Sequence, residues 1–325
     1  MLNLTRLQSL VAAVDTGSLT AAARRLGMTQ PAVSQHLAAL EAEIGAPLLR
    51  RSRRGVTPTP TGALVHRHGQ DILSRLARLD DALAESRGEV SGRLRVTTNI
   101  LFSQTLALPF VARLRTLAPK LKVEIVATDT VLDLAEADLD MALRAGSAGK
   151  GGGVARRIAD LDGVLVALPA YLDAKGRPEM PEQLDRLDFV QYREDMTQTH
   201  MMLEGPRGRV EAPVRLGFAA HAPSLLLHAV ESGLGFAHAP RFYVAPMLAA
   251  GKHEQVLPDW QSQAKPLYLV QPADAVASPR HRLARAVLFD VLAEQTGIHL
   301  APSAAREAQG EETSRSPLDH PAPAP

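Results

Sequence analysis

Apolar residues recur at helical spacing through the first quarter of the chain. Leu4, Leu7, Val11 and Val14 form one stripe, and Val33, Leu37, Leu40 and Ile44 form another at i, i+4, i+7 and i+11. Between the stripes lie two helix boundaries. Gly17 can end a helix in the left-handed conformation, and Ser18 can cap the next one, over residues 18–26. Gly27 repeats the stop and Thr29 repeats the cap. Pro31 falls in the first turn of a helix starting at Gln30, where its missing N–H costs nothing. Two capped helices joined by a glycine turn predict a helix-turn-helix.

The face of the second helix opposite its stripe is polar and small. It carries Gln30, Pro31, Ser34, Gln35 and Ala38, with Thr29 at the cap. Such a face suits a nucleic-acid groove, because amides read adenine edges in pairs and hydroxyls and helix N-termini hold phosphates. Gly45 and Pro47 close this helix. Arg50, Arg51, Arg53 and Arg54 then crowd a loop ending at Gly55, before a threonine-proline stretch over residues 57–61. The loop reads as a wing. No lysine occurs before Lys120, so the side-chain cations of this first third are arginines, whose planar forks suit phosphates and narrow minor grooves. The bland alternative is that Gln30, Gln35 and the arginines are ordinary solvated residues; His36 reads as a bystander.

Further along, Val65, Ile72, Leu76, Leu79 and Leu83 keep to one side of a long helix over residues 60–85. A helix of this length needs cover for its stripe, from its own domain or from a second chain. Gly88, Ser91 and Gly92 break the pattern as a linker. A strand over 93–98, a helix over 106–117 and a strand over 123–128 then open an α/β domain. Residues 165–184 read as a strand, a short helix and a proline-bounded turn. From Ala301 onward the composition collapses into Ala, Pro, Ser and Glu, which predicts a disordered tail over 301–325.

The run GSLTAAARRLGMTQPAVSQHLAALEAEIGAPLLRR over residues 17–51, followed by TPTPTG, resembles the DNA-binding domain of LysR-type transcriptional regulators. The match is dense: doubled alanines after the first cap, QPAVS opening the second helix, the pair Leu40 and Glu41, and the arginine at Arg51. Leu49 departs from the phenylalanine usual in that family. The resemblance implies that Thr29, Gln30, Pro31, Ser34 and Gln35 face the major groove of double-stranded promoter DNA. Arg51, Arg53 and Arg54 would reach phosphates or the minor groove, and the long helix would pair with its copy in a dimer or tetramer.

GRLRV at 92–96, DLDMALRAG at 138–146 and ESGLGFAHAP at 231–240 resemble, more loosely, the effector domain of the same family. That implies two α/β lobes like type 2 periplasmic binding proteins, with an unknown small-molecule effector in the cleft. The expected organisation is a winged helix-turn-helix over 1–59, a dimerisation helix and hinge over 60–91, and a two-lobe effector domain over 92–300. The chain is expected to enter the second lobe over 157–170 and to return over 237–240. Asp140 and Arg144 read as braces of a strand and turn.

Cleft rims in such domains lie beyond strand ends and at helix N-termini. Three candidate rims follow: Thr98, Asn99, Ser103 and Gln104; Thr128 and Asp129; and His221 to Ser224, where a helix begins. Each has a plain alternative as a capping or surface residue. Asp129 would disfavour an anionic effector unless a cation offset it.

The 325 residues, 46% of them hydrophobic, allow two or three domains with real cores, and a net charge of +1 hides the local excess of arginine. The absence of cysteine removes disulfides, thiol nucleophiles and zinc-thiolate sites. His200, His221, His238 and Asp129 lack ligand spacing, so no metal is expected. Nor is a cofactor, since the glycines of 149–153 around Lys150 lack phosphate-loop spacing. No catalytic motif such as GxSxG or HExxH is present, which argues against an enzyme. The remaining alternative is an architectural DNA binder whose C-terminal half only oligomerises. No apolar run spans a membrane, so a cytoplasmic address is expected, with RNA polymerase as a partner if the protein activates.

Overall fold

The computed structural model describes residues 3–52, 55–86, 90–149, 153–192, 199–220, 223–273 and 278–308. They form two compact units that divide between Gly92 and Arg93.

In the first unit, α1 (Leu4–Thr16), α2 (Leu19–Leu26) and α3 (Gln30–Ile44) precede a hairpin of β1 (Leu49–Ser52) and β2 (Gly55–Pro58), then α4 (Pro60–Ser86). The caps are those expected from sequence: Ser18 Oγ accepts from the Ala21 amide, and Thr29 Oγ1 from that of Ala32. Leu10, Ala22, Val33, Leu37, Leu40 and Leu48 are all but fully buried in one core. Val65, expected on the pairing stripe of α4, packs against this core instead. It lies in the first two turns, which the domain itself covers. Ile72, Leu79 and Leu83 stay 44%, 54% and 52% exposed, beside a half-buried Leu76.

The second unit starts with β3 (Gly92–Thr98), α5 (Ile100–Thr105), α6 (Ala107–Leu117), β4 (Leu121–Ala127), β5 (Met141–Ala145) and β6 (Val154–Leu161). The chain then builds β7 (Gly163–Ala167), α7 (Pro169–Lys175), β8 (Asp188–Tyr192), β9 (His200–Gly205), β10 (Gly208–Pro213), β11 (Arg215–Ala220) and α8 (Pro223–Glu231). It finishes with β12 (Phe236–Pro240), α9 (Arg241–Ala249), β13 (Glu254–Val256), β14 (Gln261–Ser262), β15 (Lys265–Gln271), α10 (Pro279–Ala293), β16 (Ile298–Leu300) and α11 (Pro302–Ala308). One sheet has the order β16-β6-β15-β5-β3-β4, a second β11-β8-β12-β7-β13, and a small third β10-β9-β14.

The chain passes from the six-stranded to the five-stranded sheet through Asp162 alone, between β6 and β7. It returns between Ser262 and Lys265, not over 237–240 as the small residues there suggested. Those residues form β12, a central strand. Ala237 and Ala239 point to the same face of the strand and are small because α8 and α9 press on it: Ala237 packs with Leu226 and Val230, Ala239 with Leu227 and Val244.

The expected disordered tail is also corrected in part. Residues 302–308 form α11, with Ala304 fully buried. The Glu307 carboxylate accepts from Arg156 Nη1 at 2.8 Å and from Arg285 Nε at 2.7 Å. The alanines that lowered complexity are also strong helix formers, and Pro302 suits a first turn. Residues 309–325 lie outside the described ones. No helix among the described residues is long and apolar enough to cross a membrane.

Candidate DNA-reading surface and ligand cleft

Burying Val33, Leu37 and Leu40 leaves Thr29, Gln30, Pro31 and Gln35 exposed, with Ser34 half-buried among them. The wing is brought onto this face: Arg51, paired with Val56 across the hairpin, donates from Nη2 to Ser34 Oγ at 3.2 Å. Two residues singled out separately in the sequence therefore meet. Arg53 and Arg54 lie outside the described residues.

Three residues set the height of the wing. Glu41 Oε1 accepts from the amides of Leu48 at 2.7 Å and Leu49 at 3.2 Å. Thr59 donates from its amide to Leu48 O and from its hydroxyl to Pro47 O. Gly62 rests on Leu48: a Cβ there would stand 1.9 Å from the Leu48 carbonyl oxygen. The LE pair and the TPTG run thus have a mechanical reason.

His36 is no bystander. Its Nδ1 lies 2.9 Å from Oγ of Ser9, which is fully buried. Ser9 spends its own proton on Thr5 O at 3.0 Å, so His36 donates and pins α3 to α1. Asp15 likewise gathers α2 and α4 onto α1, accepting from Arg25 at 3.1 Å, Gln70 at 3.3 Å and His66 Nε2 at 2.8 Å.

In the second unit, a cleft of about 940 Å³ opens between the two larger sheets. Of the expected rim, Asn99 and Asp129 line it. Both also cap α5: Asn99 Oδ1 accepts from the Phe102 amide at 2.8 Å, and Asp129 Oδ1 from that of Ile100 at 3.3 Å. The other candidates serve the framework. Thr98 is buried at the end of β3, Ser103 Oγ donates to Ile100 O, and Thr128 Oγ1 accepts from the Thr130 amide. Gln104 accepts from Tyr243 O–H at 2.9 Å, next to Phe102 stacked on Phe242 with centroids 5.2 Å apart, so α5 is tied to α9. His221 lies outside the described residues, as does the side chain of Ser224. Asp140 and Arg144 do brace their strand: Asp140 accepts from the Arg95 amide, and Arg144 donates to Leu132 O.

The cleft takes most of its wall from residues that sequence patterning passed over. Met201 and Met202 come from β9, Leu226 and Leu227 from α8, and Ser262 and Lys265 from the return crossing. His200 and His238 line it too. His238 Nε2 sits 2.6 Å from Ser262 Oγ. Burial, with a smaller contribution from the nearby Lys265 charge, lowers the pKa of His238 to about 4, so the imidazole is neutral near pH 7. Among the described residues, no group of three or more His, Asp or Glu side chains forms a metal site.

A capped helix pair with a wing, followed by two α/β lobes around a cleft, defines a ligand-responsive DNA-binding protein. Residues 4–63 match the family described as bacterial regulatory helix-turn-helix protein, lysR family, and residues 87–293 match the LysR substrate binding domain. The HTH-type transcriptional regulator PtxR of Pseudomonas aeruginosa is 32% identical, over 84% of this chain and 87% of its own. An HTH-type transcriptional repressor of the same species is 28% identical, over 93% and 96%. The solved structure of CrgA, a LysR-type transcriptional regulator from Neisseria meningitidis, aligns with a TM-score of 0.55 at 26% identity, over 90% of this chain and 99% of that one. The chain belongs to the LysR family of transcriptional regulators: it joins a DNA-binding helix-turn-helix domain to an effector-binding domain. The family is one of regulators and not of enzymes, and its members bind DNA and form oligomers.

Proposed function

We propose that paired copies of this regulator grip a partly dyad-symmetric promoter site, with α3 in the major groove. Thr29, Gln30, Pro31, Ser34 and Gln35 face the bases and nearby phosphates, and Arg51, Arg53 and Arg54 reach the backbone or the adjacent minor groove. The observation that carries the reading is the exposed row on α3 with Arg51 docked at Ser34. Ile72, Leu76, Leu79 and Leu83 pair α4 with its copy in a second chain. A small molecule in the cleft contacts Asn99 and Asp129, and shifts the assembly by binding one arrangement of the subunits more tightly than another. The protein works in the cytoplasm, where promoter DNA lies, and meets RNA polymerase if it activates.

The test is selection of bound fragments from the source genome, then footprinting at two salt concentrations. Discrete footprints one helical turn apart are expected. Gln30→Ala should relax preference at one position per half-site by ~1–3 kcal/mol, and Arg51→Ala should reduce the salt slope by about one. Salt-labile binding without a preferred site would instead favour an architectural role.

A further inference from the structure

In the first unit α1 is the beam to which both α3 and α4 are fastened. Towards α3, Ser9 receives the His36 ring at 2.9 Å and Arg6 Nη1 donates to Glu43 Oε2 at 3.4 Å. Towards α4, Leu7, Val11 and Asp15 follow one another at i, i+4 and i+8, and each meets that helix. The contacts are of two kinds. At Gly69 the helix lies close on α1: a Cβ there would stand 2.9 Å from Leu7 Cδ1 and 3.2 Å from Val11 Cγ2. Apolar contact of this kind opposes separation but is non-directional, so it sets no angle. Direction comes from Asp15. Its Oδ1 accepts from His66 Nε2 at 2.8 Å and from Gln70 Nε2 at 3.3 Å, donors one turn apart on α4, while Oδ2 accepts from Arg25 Nη1 of α2 at 3.1 Å. Two donors from successive turns meeting on one oxygen hold both the rotation of α4 about its axis and its tilt, because hydrogen bonds weaken steeply away from linearity.

We propose that Asp15 is a positioning residue for DNA recognition: through His66 and Gln70 it fixes the angle between α4 and α3, and so the distance between half-sites that a pair of chains accepts. The proposal rests on the reading of α3 as the groove helix and α4 as the pairing helix. Beyond Gln70, Ile72, Leu79 and Leu83 are exposed. From Gln70 to Leu79 the helix rises about 14 Å, so a tilt of about 15° at Asp15 moves the stripe by about 3–4 Å. One base pair of DNA rises about 3.4 Å and turns the groove by about a tenth of a turn. A clamp that permits such a tilt therefore no longer distinguishes neighbouring half-site distances. In this role Asp15 reads no base; it decides where the second half-site lies and leaves its sequence to α3.

The experiment is selection by the full-length protein from duplexes carrying about 40 random base pairs, sequenced for the half-site motif and for the distance between its two copies. The parent should select paired half-sites at one distance, with about a tenfold loss of affinity when one half-site is moved by a base pair. Asp15→Ala should return the same half-site sequence at distances spread over several base pairs, that loss falling to about threefold or less. The double variant His66→Ala with Gln70→Ala should do the same from the other helix. Gln70 is exposed and His66 half-buried, so this variant carries the test if Asp15→Ala fails to fold. Asp15→Asn keeps an acceptor for α4 while losing the charge that holds Arg25, and should keep the parent distance. A general loss of stability lowers the yield of bound duplexes without moving the distances. Distances as narrow as the parent's in the clamp variants, or a spread in Asp15→Asn equal to that of Asp15→Ala, would overturn the proposal and leave the paired reading standing. Single half-sites selected by the parent would reject both.

Discussion

Glu41→Ala should loosen the wing without touching the exposed polar row of α3. In the folded domain one carboxylate oxygen accepts from two successive amides, Leu48 at 2.7 Å and Leu49 at 3.2 Å, and Leu48 is fully buried. Removing the acceptor strands the Leu48 N–H, because its surroundings are core side chains and not water. A hydrogen bond to a charged group contributes about 1.5–3 kcal/mol net; the longer second bond and the half-exposed carboxylate bring the expected loss to about 2–3 kcal/mol. Glu41→Gln keeps the shape and an acceptor and should lose about half of that. The single tryptophan, Trp260, is buried in the second unit, so urea unfolding can be followed by two probes. Its fluorescence should give an unchanged transition, while the helical circular dichroism signal of the first unit moves to lower urea. Freed from its seat, Arg51 should also leave Ser34, and the slope of log affinity against log salt should flatten by about one phosphate contact. A Glu41→Ala protein within about 0.5 kcal/mol of the parent, with the same salt slope, would refute this account of the wing.

Three further outcomes are expected. Gly62→Ala places a Cβ 1.9 Å from the Leu48 carbonyl oxygen, so α4 or the strand must shift; a loss of about 2–3 kcal/mol in the same urea experiment checks it. His238 has a folded pKa of about 4, below the 6.5 of the unfolded chain, so the folded unit binds fewer protons between those values. Its contribution, roughly 3 kcal/mol, is fully present above pH 6.5 and is lost as pH falls towards 4. Trp260 fluorescence in urea from pH 7 to 4.5 should show that decline, and a His238→Gln variant should flatten it. Leu79→Asp places a charge on an exposed apolar stripe of α4 and should split dimers in sedimentation velocity; an unchanged mass would remove α4 from the interface.

Local chemistry is what the chain states openly. The glycine stops, the Ser18 and Thr29 caps and the Val33, Leu37, Leu40 stripe each depend on residues within a turn or two of one another. They could be read in order, and they sufficed for the helix-turn-helix, the exposed polar row of α3 and the family. The failures came where spacing carries no such information. Val65 obeys the pairing stripe but is covered by its own domain, and His36 finds its partner 27 positions away in Ser9. Residues 302–308 looked like low complexity until a half-buried Glu307 met Arg156 and Arg285.

The cleft shows the same division. Asn99 and Asp129 were legible because they cap a helix after a strand, whereas Gln104, with the same local credentials, is spent on Tyr243, 139 positions away. His238, Ser262 and Lys265 meet only because the return crossing falls between β14 and β15 and β12 lies at the centre of its sheet. Strand order is settled by the packing of whole faces against one another, since many orders satisfy the same alternation of apolar and polar residues. The sequence by itself therefore determined the exposed polar row of α3 and the class of protein, while the tertiary structure alone decided which side chains line the cleft.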